Sequence, residues 1–118
     1  MVRKLLISSS LIILSVFFSI ARLSAQDVYI GTAPSGRQCY IMTETIQWTD
    51  QYNFSFIAKA VSSTQEVAKL KYDFELFRNG AYFMDSYGDE GEVYFNNDNA
   101  NPIEFAFLQY VLKYGGRH

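Results

Sequence analysis

Ala68-Lys69-Leu70-Lys71-Tyr72-Asp73-Phe74-Glu75-Leu76-Phe77 alternates without interruption, with Leu70, Tyr72, Phe74 and Leu76 on one side and Lys69, Lys71, Asp73 and Glu75 on the other. Successive strand side chains point to opposite faces, so this stretch is a strand with one face on a core and one in water. Arg78-Asn79-Gly80 follows, and because Asn and Gly tolerate positive φ it predicts a hairpin turn into a second strand, Ala81 to Asp85. Upstream, Asn53 to Val61 repeats the alternation, with Phe54, Phe56, Ala58 and Ala60 on one face and Ser55 and Lys59 on the other. A loop containing Pro34-Ser35-Gly36 leads into a short strand from Gln38 to Met42, and a last strand, Glu92 to Phe95, follows the turn Gly88 to Gly91.

The period then changes. Ile103, Ala106, Phe107, Tyr110, Val111 and Tyr114 recur at helical spacing. Asn101 is placed as N-cap, Pro102 at the first helical position and Glu104 for a capping box, while Gly115-Gly116 stops the helix. Phe105, Leu108 and Leu112 widen the apolar stripe, so the helix should be nearly enclosed. The expected fold is α+β, an antiparallel sheet of four to five strands packed against one C-terminal helix.

Residues 1–25 have the parts of an export signal: Arg3 and Lys4, an apolar run from Leu5 to Ala21, and small residues at Ser24 and Ala25. The run is interrupted by Ser8, Ser9, Ser10 and Ser15 and falls short of the about 20 apolar residues that span a bilayer. Cleavage after Ala25 is favoured, with Ser19 and Ala21 offering a second site, and residues 26–118 are read as one small domain that is secreted or periplasmic after cleavage. Leu23-Ser24-Ala25 approaches a lipobox, but Gln26 stands where the lipid-bearing cysteine belongs. The membrane is then met only through the signal peptide before cleavage.

Losing Arg3, Lys4 and Arg22, with no acid among residues 1–25, lowers the formal charge of −2 by three units. The remaining Lys and Arg are scattered, so nucleic acid is an unsuitable ligand. A secreted domain this small commonly needs disulfides, yet Cys39 is the sole cysteine. Stability falls to the aromatic core supplied by Trp48, all nine Tyr and all but Phe17 and Phe18 of the ten Phe. Cys39 itself reads as a small apolar strand residue, or as one half of an intermolecular disulfide.

No catalytic set is legible. The sole histidine, His118, ends the chain, and no serine or cysteine has an identifiable base. Asp73 and Glu75 alternate with lysines as a solvated face does. Asp85, Asp89, Glu90 and Glu92 surround Gly88 and Gly91 but miss the EF-hand spacing, so they read as an acidic hairpin turn rather than a cation site. Asn53-Phe54-Ser55 is a glycosylation sequon that matters only in a eukaryotic secretory route. No cofactor is implied.

Cys39-Tyr40-Ile41-Met42-Thr43-Glu44-Thr45-Ile46, the strand pair after it, and Pro102-Ile103-Glu104 opening a terminal helix together resemble the surface-adhesin protein E family. The opening Asp27-Val28-Tyr29-Ile30-Gly31-Thr32 is similar to small secreted proteins of unknown role in Gram-negative-type Firmicutes. The first resemblance implies a sheet closed by a helix in an exported or surface-attached bacterial protein, with binding of host extracellular proteins as the family's best-known activity. The family's lipobox cysteine and its later cysteines have no counterpart here, so no binding residue carries over.

These readings converge on a secreted, non-enzymatic binding or adhesion-type domain acting at the cell envelope or outside the cell, with a host or envelope protein as partner. The sheet face that the helix leaves uncovered, with loops carrying Trp48, Tyr52 and Tyr87, is the expected contact surface. Two alternatives stand beside it: a self-associating envelope protein, dimeric through an edge strand or Cys39, and a small periplasmic enzyme or inhibitor. Intact mass of the native protein should give a species beginning at Gln26 and unchanged by reductant; an uncleaved membrane species or a reductant-sensitive dimer would favour anchoring or Cys39-linked assembly.

Overall fold

The computed structural model describes residues 26–96 and 101–116, so residues 1–25, read above as an export signal, the middle of the Asn-rich connection and His118 lie outside the described residues. Its elements are β1 (Asp27–Thr32), β2 (Gln38–Trp48), β3 (Asn53–Val61), β4 (Val67–Phe77), β5 (Gly80–Asp85), β6 (Glu90–Tyr94) and α1 (Pro102–Tyr114). The six strands form one antiparallel meander in sequence order. The fold is α+β, with six strands where four to five were expected. The additional strand is β1, whose register against β2 shifts between Tyr29 and Gly31 and so disturbs the alternation that would have announced it.

β2 is also longer than its predicted five residues, for a related reason. Its pairing with β3 breaks between Met42 and Gln47, and the Thr45 hydroxyl bridges the gap. That hydroxyl accepts from the Ile57 N–H at 2.8 Å and donates to the Met42 carbonyl at 2.7 Å. A side chain thus replaces ladder partners, and the strand continues to Trp48 out of phase with its first half.

The core sits on the inner face of the curled sheet. Register aligns Phe54 with Phe74 and Phe74 with Phe83, and Phe56 with Tyr72. The Phe54 and Phe74 rings stack at 5.0 Å, and Phe56 lies 5.4 Å from Tyr72. From α1, Phe107 enters this lattice 5.0 Å from Phe56 and 5.2 Å from Tyr72. The start of α1 reaches both edge strands: the Asn101 amide donates to the Glu92 carbonyl of β6 at 3.4 Å, and Ile103 abuts Gly31 of β1. The sheet therefore curls around the helix.

Several helix details differ from expectation. Asn101 makes no side-chain cap, and Glu104 accepts a bond from the Tyr72 hydroxyl at 2.7 Å instead of closing a capping box. The buried stripe is Ile103, Phe107, Leu108 and Val111, while Tyr114 is 62% exposed. The helix is covered along one side only, its last turn buried at Val111 and exposed at Lys113 and Tyr114.

β3 is central and buried on both faces, not half-buried: Ser55 is enclosed and Lys59 is 5% exposed. Lys59 lies opposite Lys69 in register, an unfavourable pairing of like charges. Its ammonium instead reaches the Asp27 carboxylate of β1 at 2.7 Å.

The β4–β5 hairpin turns at Arg78-Asn79 with no positive φ, so the glycine there has a different purpose from the one predicted. A Cβ on Gly80 would fall 1.9 Å from the Val93 carbonyl oxygen, whereas Gly88, at φ +93°, faces open space. Gly80→Ala should cost about 3 kcal/mol, an overpacking penalty against rigid backbone. Gly88→Ala should cost about 1 kcal/mol through its left-handed conformation alone. Urea denaturation midpoints decide the order, and equal losses would contradict the close approach.

Candidate functional site

Two surfaces gather chemistry, one on each side of the sheet. On the outer face, alternation in β5 puts Tyr82 and Met84 outward, 48% and 49% exposed, opposite buried Ala81 and Phe83. Register sets Glu75 beside Tyr82 and Asp73 beside Met84 on the β4 side. On the β6 side, Glu92 stands beside Tyr82 and Glu90 beside Met84. These six side chains, with Asn53, line a depression of about 640 Å³ whose lining, among the described residues, includes no Lys or Arg. Phe77 extends the apolar strip, 4.6 Å from Tyr82 and 5.7 Å from Tyr94. The Tyr94 hydroxyl donates to Glu92 at 2.5 Å, and that bond to a carboxylate raises its pKa.

The loops that carry Tyr52 and Tyr87 share one device. In Asp50-Gln51-Tyr52 the Asp50 carboxylate accepts the Tyr52 N–H at 2.7 Å and the Asn53 N–H at 2.9 Å, bonds that lower its pKa. In Asp85-Ser86-Tyr87 the Asp85 carboxylate accepts the Tyr87 N–H at 2.8 Å and the Asp89 N–H at 3.1 Å. Each exposed tyrosine is thereby held by a turn of the type aspartate favours. The structure does not bring them together. The Leu76 N–H bonds the Tyr52 carbonyl and the Lys71 N–H bonds Ser86, so the loops lie five residues apart along β4, about 16 Å at the rise of a strand.

Trp48 is in neither loop. It ends β2 half-buried, its ring 4.7 Å from Phe54, and so belongs to the core margin rather than to an exposed contact surface. The Asn53 sequon residue binds Asp50 with its side-chain amide, and Phe54 and Ser55 beside it are buried. The acidic turn spends the Asp85 carboxylate on backbone N–H groups, and among the described residues no group of three or more His, Cys, Asp or Glu is arranged to hold a metal ion.

On the inner side, beside the start of α1, a pocket of about 350 Å³ is lined by Arg37, Cys39, Tyr72, Asp85, Asp89 and Glu104, among others. Cys39 is 8% exposed, and burial raises its thiol above the ordinary 9.0, with Glu104 adding to the rise. A disulfide to a second chain would require β2 to release it. Burial also drives the Tyr72 hydroxyl well above its usual range, reinforced by its bond to Glu104. Both groups hold their protons, which suits packing better than nucleophilic or base chemistry.

No family model, curated protein or solved structure matches this chain. The alternation that located the core also carried the outer strip, since Ala81 and Phe83 inward require Tyr82 and Met84 outward. What the sequence could not supply was the neighbour across each strand, and that neighbour makes the strip acidic on both flanks.

Because the raised groups ionise more readily once unfolded, their stabilisation is complete below the ordinary pKa and is lost as pH climbs toward the folded values. Stability should therefore fall between about pH 9 and pH 11. The double variant Cys39→Ala, Tyr72→Phe, less stable at neutral pH, should lose less over that interval in urea titrations. Parallel curves for variant and wild type would contradict the assignment.

Proposed function

We propose that this chain is a secreted, non-enzymatic binding or adhesion-type domain acting at the cell envelope or outside the cell, and that it meets its partner through the outer face of β4, β5 and β6. The observation that carries this reading is the pair Tyr82 and Met84, each about half exposed on a sheet whose other face holds the helix. Large apolar side chains grouped on one face, ringed by charge, are characteristic of protein contact sites. Tyr52 and Tyr87, whose backbone N–H groups are each held by an aspartate turn, add exposed aromatic side chains on two separate loops. The likeness of Cys39 to Ile46 to surface-adhesin proteins agrees with such a role.

Immobilised wild type and the double variant Tyr82→Ala, Met84→Ala should be compared against envelope and extracellular fractions, with Gln109→Ala on the exposed side of α1 as control. A protein retained by the wild type and the control but lost on the double variant is the expected result. Since both positions are on the surface, the variant should stay within about 1 kcal/mol of wild-type stability. Equal retention on all three proteins would sink the assignment of this face.

A further inference from the structure

The arrangement around Tyr82 and Met84 specifies more than an apolar patch. Asp73 and Glu75 form one row on β4, Glu90 and Glu92 a second on β6, and β5 runs between them. Neighbouring strands lie about 4.8 Å apart, so the carboxylate rows stand roughly 10 Å apart with the apolar strip midway. An α-helix with its side chains is about 10–12 Å wide. A helix with an apolar stripe and cations along both borders would therefore set its stripe on Tyr82 and Met84 and bring a cation to each row.

We propose that this face binds a cationic amphipathic segment of a partner protein, with apolar side chains seated on Tyr82 and Met84 and Lys or Arg side chains reaching the carboxylates of Asp73, Glu75, Glu90 and Glu92. The proposal rests on the reading of this face as the contact surface. Charge selects the occupant: among the described residues no base lines the depression, Lys71 lying next to Asp73 on the same face of β4 but outside the lining, a second copy of the four carboxylates would oppose like charges, and anionic lipid would be repelled. A cationic segment gains on both counts, because Lys and Arg keep their heads in water while their stems cover apolar surface.

The test uses the exported protein and a labelled peptide in which a stripe of Leu is bordered on both sides by Lys along a helix. Three controls accompany it: a scrambled peptide of identical composition, an analogue with Gln for Lys, and the striped peptide at raised salt. Fluorescence anisotropy should show the striped peptide binding at least about tenfold tighter than the scrambled one, and more weakly at high salt. Glu75→Gln with Glu92→Gln should weaken it roughly fivefold. Tyr82→Ala with Met84→Ala should weaken it at least about tenfold. Equal binding of the Gln analogue, still lost on Tyr82→Ala with Met84→Ala, would overturn the cationic class and leave the face standing. Equal binding of striped and scrambled peptides, indifferent to Tyr82 and Met84, would mean unspecific attraction to an acidic chain and overturn both. Failure of every peptide overturns the cationic segment, while the face itself is judged by the capture comparison with Gln109→Ala.

Discussion

The stacked rings of Phe54, Phe56, Tyr72 and Phe74, joined by Phe83 from β5 and Phe107 from α1, are what the rest of the fold rests on. A chain with a single cysteine has no intrachain bridge to restrain its unfolded state, so burial of large side chains must supply the stability. Three adjacent strands contribute rings in register, and the helix closes over them. Everything placed on the outer face follows, because a strand that commits one face to this lattice fixes which side chains remain outside.

How much was legible depended on whether the two faces of an element differed. β4 reads directly, since every second residue from Leu70 to Leu76 is apolar and the others are charged. The helix reads from its spacing, although the exact stripe does not: Leu108, expected to widen the stripe, is buried, whereas Tyr114, expected on it, is 62% exposed. Phase shifts hid β1 and the second half of β2, where Thr45 does the work of ladder groups and the alternation restarts out of step. Lys59 misled for another reason. A lysine on the polar side of an alternating strand implies water, and only the fold brings Asp27 to it.

The outer surface obeys the same logic in reverse. Within β5 the sequence gives two outward side chains and nothing of their flanks. The meander supplies those, since β4 and β6 each present two carboxylates at matching positions. The loops are more local: Asp50 and Asp85 each bind the N–H two residues on, a pattern contained in the sequence itself. Trp48, expected beside Tyr52 and Tyr87 on the contact surface, packs half-buried against Phe54, so ring size alone does not distinguish an anchor from a core side chain.

The bond between Lys59 and Asp27 also sets a limit on how far the chain can be shortened from its amino-terminal side. Asp27 opens the first strand, and the residue before it, Gln26, already bonds Thr43 through its carbonyl. A chain shortened so far as to lose Asp27 would lose the carboxylate that faces an enclosed ammonium, about 3–5 kcal/mol for a buried pair. The first residue of β1 is therefore a structural part of the fold: its one carboxylate answers for a lysine that lies two strands away and is closed off from water.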